Sequence, residues 1–248
     1  VLGRGETVGQ ELAGNPKVAM VSMTGSVGAG EKIMTAAAKN ITKVCLELGG
    51  KAPAIVMDDA DLELAVKAIR DSRVINTGQV CNCAERVYVQ KGIYDRFVNR
   101  LGEAMKAVQF GNPAERNDIA MGPLINAAAV SKVARHIDDA LSQGARLLCG
   151  AMPEGDSQFV QPTVLGDTHA GMLLANEETF GPVAPLMRFS SEEQALAMAN
   201  ATPYGLGAYF FTRDLHRSWR FGEALEFGMV GLNTGLISME VAPFGGIK

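Results

Sequence analysis

The sequence predicts an α/β fold built around a parallel sheet. Short apolar runs alternate along the chain with segments in which apolar residues recur at helical spacing, as is typical of strands joined by crossover helices. Hydrophobic residues make up 47% of the 248 residues and charged residues 20%, which is sufficient for a large buried core. This composition excludes a disordered chain, a collagen-like chain and a small disulfide-bonded domain.

The first elements are predicted from two apolar runs that flank an alanine-rich segment. Residues 17–23 indicate a buried strand, residues 30–39 a helix, and residues 43–48 a second strand that ends at Gly49-Gly50. Residues 54–57 then predict a third strand.

The later elements follow the same alternation. The acidic run that ends at Asp61 predicts the cap of a helix over residues 62–72. Four more helices are predicted. Two are indicated by apolar residues at helical spacing, which begin at Ile93 and at Val130, and two by the caps Ser191 and Asp214. Short apolar runs predict further strands at 86–90, 145–149, 183–189, 207–212 and 229–233. Because active groups of parallel sheets lie at the carboxyl ends of strands, we expect the functional residues there.

Charge and cysteine content exclude several classes of partner. The net charge is −4 and no basic stripe is present, so nucleic acid is not expected as a partner. No apolar run approaches the roughly 18 residues of a membrane span, and no signal-peptide pattern is visible. The four cysteines and three histidines lack the usual zinc spacing, so we expect no metal and a reducing, cytoplasmic compartment.

Cys81 is the candidate nucleophile. It ends the run Gly78-Gln79-Val80-Cys81, whose polar neighbours argue against simple core packing, although a lone cysteine is more often a small buried hydrophobe. None of the histidines is close to it in sequence, and each is interpreted as a surface or capping residue: His136, His169 and His216. A cysteine–histidine hydrolase is therefore not supported.

Other candidates are acidic or glycine-rich. Glu47 ends an apolar strand, where it is either a general base or an edge-strand charge. The acidic and aromatic segment 177–182 is either a solvated helix start or a site for a ribose and a flat ring. Gly3 and Gly5, and the turn Thr24-Gly25-Ser26, suit a phosphate; the alternatives are a plain turn and an ordinary helix cap.

Taken together, these motifs resemble the NAD(P)-dependent aldehyde dehydrogenase superfamily. Five short matches occur in the family's order across nearly the whole chain: Thr24-Gly25-Ser26 with Gly30, LELGGK at 46–51, GQVC at 78–81, EETFGP at 177–182 and PFGG at 243–246. The resemblance implies NAD or NADP as cofactor, an aldehyde as substrate, and a homo-oligomer, dimer or tetramer, for the full-length enzyme.

The resemblance also implies a role for each matching residue. Cys81 matches the nucleophile and Glu47 the general base. The positions that match cofactor-binding residues are Gly3, Gly5, Gly25, Ser26, Leu48, Gly49, Glu178 and Phe180. Residues 1–49 correspond to the end of a dinucleotide-binding domain and residues 50–248 to most of a catalytic domain, so the chain resembles an internal part of a longer enzyme.

The resemblance to subfamilies is mixed. Residues up to about 128 are similar to lactaldehyde and glycolaldehyde dehydrogenases, and those from about 130 to succinate-semialdehyde dehydrogenases, notably near Ser238. In the second group an arginine six residues before the nucleophile binds the substrate carboxylate, whereas this chain has Ile75 there. We therefore expect a small hydroxyaldehyde in preference to a semialdehyde, or broad specificity, with Ile75 and Ser238 as substrate residues.

Two alternative functions stay open at the level of sequence. The chain could be a catalytically incomplete structural fragment of such an enzyme, or a cysteine-dependent hydrolase. Cys83 is interpreted as a packed thiol in preference to a disulfide partner of Cys81, since a disulfide across one residue is strained.

Overall fold

The computed structural model describes residues 1–153, 155 and 157–248. The chain divides into two compact units, Val1–Gly49 and Gly50–Lys248. The predicted fold class is confirmed, because helices alternate with strands that pair mainly in parallel. Within the described ranges, no helix combines the length and apolarity needed to cross a membrane.

The first unit is a two-stranded parallel sheet with accompanying helices. A π-helical turn at Gly5–Gly9 leads into α1 (Gln10–Gly14), and β1 (Met20–Thr24) and β2 (Lys43–Glu47) flank α2 (Val27–Ala38). The register runs from Met20 opposite Lys43 to Thr24 opposite Glu47.

The first strand is less buried than the sequence predicts. Exposed and half-buried residues alternate along β1, and Met20 is 52% exposed. The prediction of a strand is confirmed at Met20–Thr24, but the prediction that it is buried is wrong. Side chains alternate between the two faces of a strand, and a sheet of two strands covers few of them. Helix α2 begins earlier than predicted because Ser26 caps it, accepting a hydrogen bond from the Ala29 N–H at 3.3 Å.

The second unit contains a seven-stranded sheet in the order β5-β6-β7-β4-β3-β8-β9. Its strands are β3 (Ala52–Val56), β4 (Ala84–Gln90), β5 (Arg146–Cys149), β6 (Thr163–Gly166), β7 (Val183–Phe189), β8 (Gly207–Phe211) and β9 (Met229–Leu232). Its helices are α3 (Leu62–Val74), α4 (Tyr94–Lys106), α5 (Ala127–Ser142), α6 (Leu173–Asn176), α7 (Glu192–Asn200) and α8 (Leu215–Ala224), with a 3-10 turn at Ile75–Gly78.

Both faces of the central strands are buried. Along β3, Ala54 and Val56 join one core, which also holds α3 and α4 residues, while Ile55 joins a second core with α7 and α8 residues. In β4, Val87 and Tyr88 are divided in the same way. A strand covered on both sides reads as a continuous apolar run, which explains why these strands were recognisable in the sequence.

The sheet also departs from the predicted all-parallel arrangement. Strand β5 pairs antiparallel with β6, whereas the other neighbours in the sheet pair in parallel. Strand β6 was not predicted, because its four residues form too short an apolar run to distinguish from a loop. Without β6, the direction of β5 could not be inferred.

Candidate active site

Cys81 lies in a turn with an unusual backbone. The turn connects the 3-10 segment Ile75–Gly78 to β4, and the Cys81 side chain is partly exposed. Three successive residues have left-handed φ angles: Asn76 at 46°, Thr77 at 59° and Gly78 at 72°. Such conformations are strained for residues other than glycine and cluster at functional sites, where the surrounding structure maintains them.

The polar residues before Cys81 hold this turn. The Thr77 hydroxyl donates to the Gly122 carbonyl at 3.0 Å, and the Gln79 side chain accepts from the Ile125 N–H at 2.9 Å. The polar sequence around the cysteine therefore fixes the backbone of the turn instead of solvating a surface.

The residues around Cys81 gather at the amino ends of three adjacent strands. Cys81 precedes β4, Gly50 precedes β3 and Glu178 precedes β7. The expectation of a site at the carboxyl ends of strands is therefore wrong for the second unit. The preceding helix α3 returns the chain to the amino end of the sheet, and Cys81 follows that helix. In the first unit, by contrast, Glu47 ends β2 at its carboxyl end.

Gly50 brings the backbone of Cys81 and the side chain of Glu178 together. A Cβ atom at position 50 would lie far inside van der Waals contact of the Cys81 carbonyl oxygen. The Gly50 N–H donates to Glu178 Oε1 at 2.8 Å. Only a residue without a side chain can make both approaches at once.

A buried ion pair lies behind these residues. Lys51 Nζ is 2.7 Å from Glu85 Oε2, and both side chains are almost fully excluded from solvent. The Glu85 carboxylate also accepts from the backbone N–H groups of Thr179 at 2.9 Å and Phe180 at 2.8 Å. Burial raises the pKa of Glu85, but the charges of Lys51 and Arg73 and the hydrogen bonds outweigh it, so the net shift is downward and Glu85 is ionised.

Sequence reasoning missed Lys51 and Glu85 as site residues. One signal was available: each charge stands next to residues of strongly apolar strands, where an unpaired charge is costly. Their pairing across 34 positions was not visible in the sequence.

Glu178 is a half-buried carboxyl group with a raised pKa. Burial is the main cause and the nearby Glu85 charge adds to it, while the hydrogen bond from the Gly50 N–H acts in the opposite direction. A half-exposed carboxylate held by one oxygen is suited to accept hydrogen bonds from ligand hydroxyl groups.

His136 is buried, so its interpretation as a surface or capping residue is wrong. It lies three residues after Val133 on the core-facing side of α5. Its Nδ1 is 3.2 Å from Thr179 Oγ1 and its Nε2 is 3.2 Å from Glu177 Oε2. Burial lowers the pKa of His136 and favours the neutral imidazole, with the pairing to Glu177 opposing this shift. The other two, His169 and His216, are exposed as predicted.

Glu177 is also held and does not begin a helix. It follows α6, and its carboxylate accepts from Arg135 at 2.7 Å as well as contacting His136. The segment 177–182 is therefore fixed from α5, from β4 and from Gly50-Lys51.

Cys83 is a buried thiol beside the buried Arg73 guanidinium. Arg73 Nη1 donates to Cys83 Sγ at 2.9 Å, and Arg73 also donates to the Gly181 carbonyl. Burial raises the pKa of Cys83 to about 11, with Arg73 opposing the shift. A neutral, packed thiol agrees with the interpretation made from the sequence.

Both predicted substrate residues are associated with the segment that follows β9, and Ser238 is part of that segment. Ile75 is 42% exposed and borders a cavity of about 320 Å³ that residues 233–236 also line. Ser238 Oγ accepts from Asn82 Nδ2 at 2.6 Å, and the Asn82 carbonyl accepts from the Tyr209 hydroxyl at 2.6 Å. Ser238 is thus linked to the residue directly after Cys81.

The cofactor candidates of the first unit surround the carboxyl ends of its strands. The Gly25 N–H donates to the Glu47 carbonyl at 2.9 Å, next to the Ser26 cap of α2. The first residues of α2 are exposed, so the N-terminus of this 12-residue helix is open to an anion. Leu48 packs against Gly30, where a Cβ atom would lie 2.8 Å from the Leu48 side chain.

The remaining candidates are Gly5, which begins the π-helical turn, Gly3, two residues before it, and Gly49, which ends the first unit. Gly3 and Gly5 are both exposed, and a Cβ atom on Gly5 would meet no atom within 4 Å. In the described ranges, no group of three or more His, Cys, Asp or Glu residues could hold a metal ion.

Fold and site together define an α/β protein with a cysteine in a constrained turn beside a half-buried acid. The chain belongs to the aldehyde dehydrogenase family, whose sequence model matches residues 1–248. It is 68% identical over 234 residues to the lactaldehyde dehydrogenase of Escherichia coli (strain K12), covering 94% of this chain and 49% of that protein. It is 52% identical to a succinate-semialdehyde dehydrogenase [NADP(+)] of the same organism, covering 100% of this chain and 52% of the relative.

Solved structures show the same similarity. A crystal structure of lactaldehyde dehydrogenase from Escherichia coli superposes with a TM-score of 0.96 at 64% sequence identity, covering 99% of this chain and 52% of that one. The chain therefore spans about half the length of the relatives it matches.

Proposed function

We propose that the protein carrying this chain oxidises an aldehyde to a carboxylic acid with NAD or NADP, using Cys81 as nucleophile and Glu47 as general base. The observation that carries the proposal is the constrained turn: Cys81 is partly exposed after three left-handed residues, and Gly50 joins its backbone to the Glu178 carboxylate. Family membership supports the same class of reaction.

The residues present fit a dinucleotide. The exposed N-terminus of α2, with Gly25 and Ser26, offers backbone N–H groups to a phosphate. The Glu178 carboxylate suits ribose hydroxyls, as acidic residues do in other dinucleotide sites. The other proposed cofactor residues are Phe180 beside the ring, Gly3 and Gly5 near the phosphates, and Leu48 and Gly49 near the nicotinamide.

The chemistry assigns a separate task to each side chain. The Cys81 thiolate attacks the aldehyde carbon to form a thiohemiacetal, whose oxyanion accepts a hydrogen bond from the Cys81 backbone N–H. A bound dinucleotide would supply the acceptor for the hydride that leaves the thiohemiacetal carbon. Loss of this hydride converts the thiohemiacetal to a thioester on Cys81. Glu47 then removes a proton from water, and the resulting hydroxide attacks the thioester carbonyl carbon. The C–S bond breaks, which releases the acid and regenerates the Cys81 thiolate.

The proposed substrate is a small hydroxyaldehyde. The relative with higher identity is a lactaldehyde dehydrogenase, whereas the succinate-semialdehyde relative is more distant. Ile75 supports this choice, because its apolar side chain offers no charge-assisted hydrogen bond to a substrate carboxylate. We also propose a cytoplasmic homo-oligomer.

The decisive experiment replaces the nucleophile in the whole protein that carries this sequence. We expect Cys81→Ala to abolish aldehyde-dependent formation of NAD(P)H without lowering the melting temperature, because the proposed reaction has no other acyl acceptor. Cys45→Ala is the matched control, since Cys45 is an exposed cysteine, and it should keep full turnover.

Two results would contradict the proposal. The first is a Cys81→Ala protein that still oxidises aldehydes at the original rate. The second is a protein that hydrolyses esters but never reduces NAD or NADP, which would favour a cysteine-dependent hydrolase.

A further inference from the structure

We propose that Glu85 is a positioning residue that fixes the Glu178 carboxylate for the cofactor, with Lys51 as its buried counter-ion. This inference rests on the proposed function and deepens it, because it assigns the geometry of the cofactor acid to a residue that does not touch the cofactor. Glu85 lies in β4, four residues after Cys81, so one strand supports both the nucleophile turn and the acid.

The first step of the argument is the contact between Glu85 and the backbone. Glu85 Oε2 accepts from the Thr179 N–H at 2.9 Å, and Oε1 accepts from the Phe180 N–H at 2.8 Å. Phe180 has a left-handed φ of 54°. Two successive N–H groups turned toward one point form a concave site for an anion, and here the Glu85 carboxylate fills it.

The second step is the set of hydrogen bonds that hold Glu178 and its neighbours. Its Oε1 accepts from the Gly50 N–H at 2.8 Å, and the next residue, Lys51, contacts both Glu85 at 2.7 Å and the Thr179 hydroxyl at 3.3 Å. The carboxylate of Glu178 is thus held by Gly50, while the backbone that follows it is held by Glu85. Loss of Glu85 removes the backbone support and leaves the Gly50 contact alone.

The third step is the cost of losing the carboxylate. The Lys51 and Glu85 side chains are at most 2% exposed. Without Glu85, the N–H groups of Thr179 and Phe180 lose their acceptor and the Lys51 ammonium loses its counter-ion. The strained left-handed backbone of Phe180 is then no longer stabilised by a hydrogen bond to a carboxylate. We therefore expect the segment 177–182 to shift or open under conditions in which the sheet is still folded.

The experiment separates positioning from folding with four variants of the whole protein. Glu85→Gln removes the charge and one acceptor oxygen. Glu85→Gln combined with Lys51→Met also removes the buried ammonium that would otherwise have no counter-ion, and so limits the loss of folding stability. It does not restore the second carboxylate oxygen that accepts a backbone hydrogen bond. Glu85→Asp keeps the carboxylate, and Glu103→Gln is the control on an exposed glutamate of α4.

Two readouts that do not need turnover come first. Amide hydrogen exchange of the peptide spanning residues 177–182 should become at least roughly tenfold faster in Glu85→Gln and in the double variant, while exchange in β7 stays unchanged. Alkylation of Cys81 by iodoacetamide without cofactor should stay within about twofold of the original, since the nucleophile turn keeps its own hydrogen bonds.

The kinetic readout tests the link to the cofactor. Glu85→Gln and the double variant should raise KM for NAD or NADP roughly ten- to a hundredfold, with a smaller effect on KM for the aldehyde. Glu85→Asp should recover part of the loss, and Glu103→Gln should match the original protein.

The outcomes separate this inference from the proposed function. Unchanged exchange in 177–182, or an unchanged KM for the cofactor in both Glu85→Gln variants, overturns the positioning role. Equal losses in Cys81 alkylation and cofactor KM also overturn it, because they indicate a general structural role. If the unmodified protein never reduces NAD or NADP, the proposed function fails and the kinetic part of the inference fails with it, while hydrogen exchange still decides whether Glu85 holds the segment.

Discussion

Gly50 is the residue at which backbone packing and site chemistry constrain the chain most tightly. Replacement by alanine would press a Cβ atom into the Cys81 carbonyl and disturb the hydrogen bond to Glu178. Because the obstruction is backbone, we expect Gly50→Ala to lower the free energy of unfolding by about 1–3 kcal/mol or more, and to alter the rate at which Cys81 reacts with a thiol reagent. Urea denaturation and alkylation kinetics measure the two effects.

Gly102 provides the matched control for this prediction. It lies within α4, and an added Cβ atom would meet nothing within 4 Å. Gly102→Ala should therefore stabilise the protein by about 0.5–1 kcal/mol, because alanine loses less conformational entropy in a helix. A Gly50→Ala protein as stable and as reactive as Gly102→Ala would show that the backbones of Gly50 and Cys81 do not restrain each other.

Ile75 tests the substrate class at the level of one side chain. It is partly exposed beside the cavity that residues 233–236 line, so a longer side chain can be accommodated. We expect Ile75→Arg to lower KM for succinate semialdehyde about tenfold relative to lactaldehyde, because the guanidinium can form a charge-assisted pair with the substrate carboxylate. Steady-state kinetics with both aldehydes measure the ratio.

Ile75→Met controls for size without charge and should leave the ratio of the two KM values near its original value. If methionine shifts the preference as much as arginine does, shape and not charge determines the choice of aldehyde at this position.

At the level of elements, α5 connects a buried histidine to the segment 177–182. The pKa of His136 lies below its ordinary value of 6.5 in the folded protein, chiefly because of burial. As the pH falls through about 6.5, the unfolded chain binds a proton at this histidine before the folded chain does. We therefore expect the contribution of His136 to the free energy of unfolding to be largest above about pH 6.5 and to decrease as the pH falls below it.

Replacing the histidine isolates this contribution. His136→Asn keeps a hydrogen-bonding group near Thr179 but cannot be protonated, so the loss of stability between about pH 7 and about pH 5 should become smaller. His216→Asn, on the exposed side of α8, is the control and should keep the original pH dependence. Parallel pH profiles for the original protein and His136→Asn would exclude His136 as a source of the loss.

The success of the sequence predictions also differs between elements for physical reasons. Strand β7 was predicted to its exact ends and three helix caps were confirmed, because long apolar runs and Asp61, Ser191 or Asp214 before a helix are local signals. The antiparallel direction of β5 depends on β6, a partner that the four-residue run did not reveal. The direction of a strand in a sheet is defined by its pairing with a neighbour. It therefore cannot be predicted when the neighbouring strand is not recognised in the sequence.

The site shows the same limit. Cys81 stood out because polar residues precede it, and those residues hold its turn. The pairing of Lys51 with Glu85 and the burial of His136 depend on contacts with residues far away in the sequence, which residue patterns do not specify. The roles of Glu47 and of the cofactor residues remain predictions from resemblance.

At the scale of the whole molecule, the two units differ in how much core they bury. Among its described residues, the larger unit encloses three apolar clusters around its sheet. In the smaller unit, whose residues are all described, the buried residues are Ala13, Gly30 and Ala37. A unit with so little core gains little stability from its own packing, so a given free energy of ligand binding is a large fraction of the stability of the unit.

This difference leads to a prediction about the 248-residue chain itself. If residues 25 and 26 and Glu178 bind a dinucleotide as proposed, calorimetry with NAD or NADP should detect binding with micromolar affinity. At a cofactor concentration about 100 times the dissociation constant, binding should stabilise the chain by about 2.7 kcal/mol and raise its melting temperature. Ser26→Ala should weaken the binding by removing a cap and a hydroxyl donor at the helix N-terminus, whereas Ser142→Ala, at the end of α5, should not. Absence of both heat and thermal stabilisation would favour the alternative, a structural fragment that cannot bind the cofactor by itself.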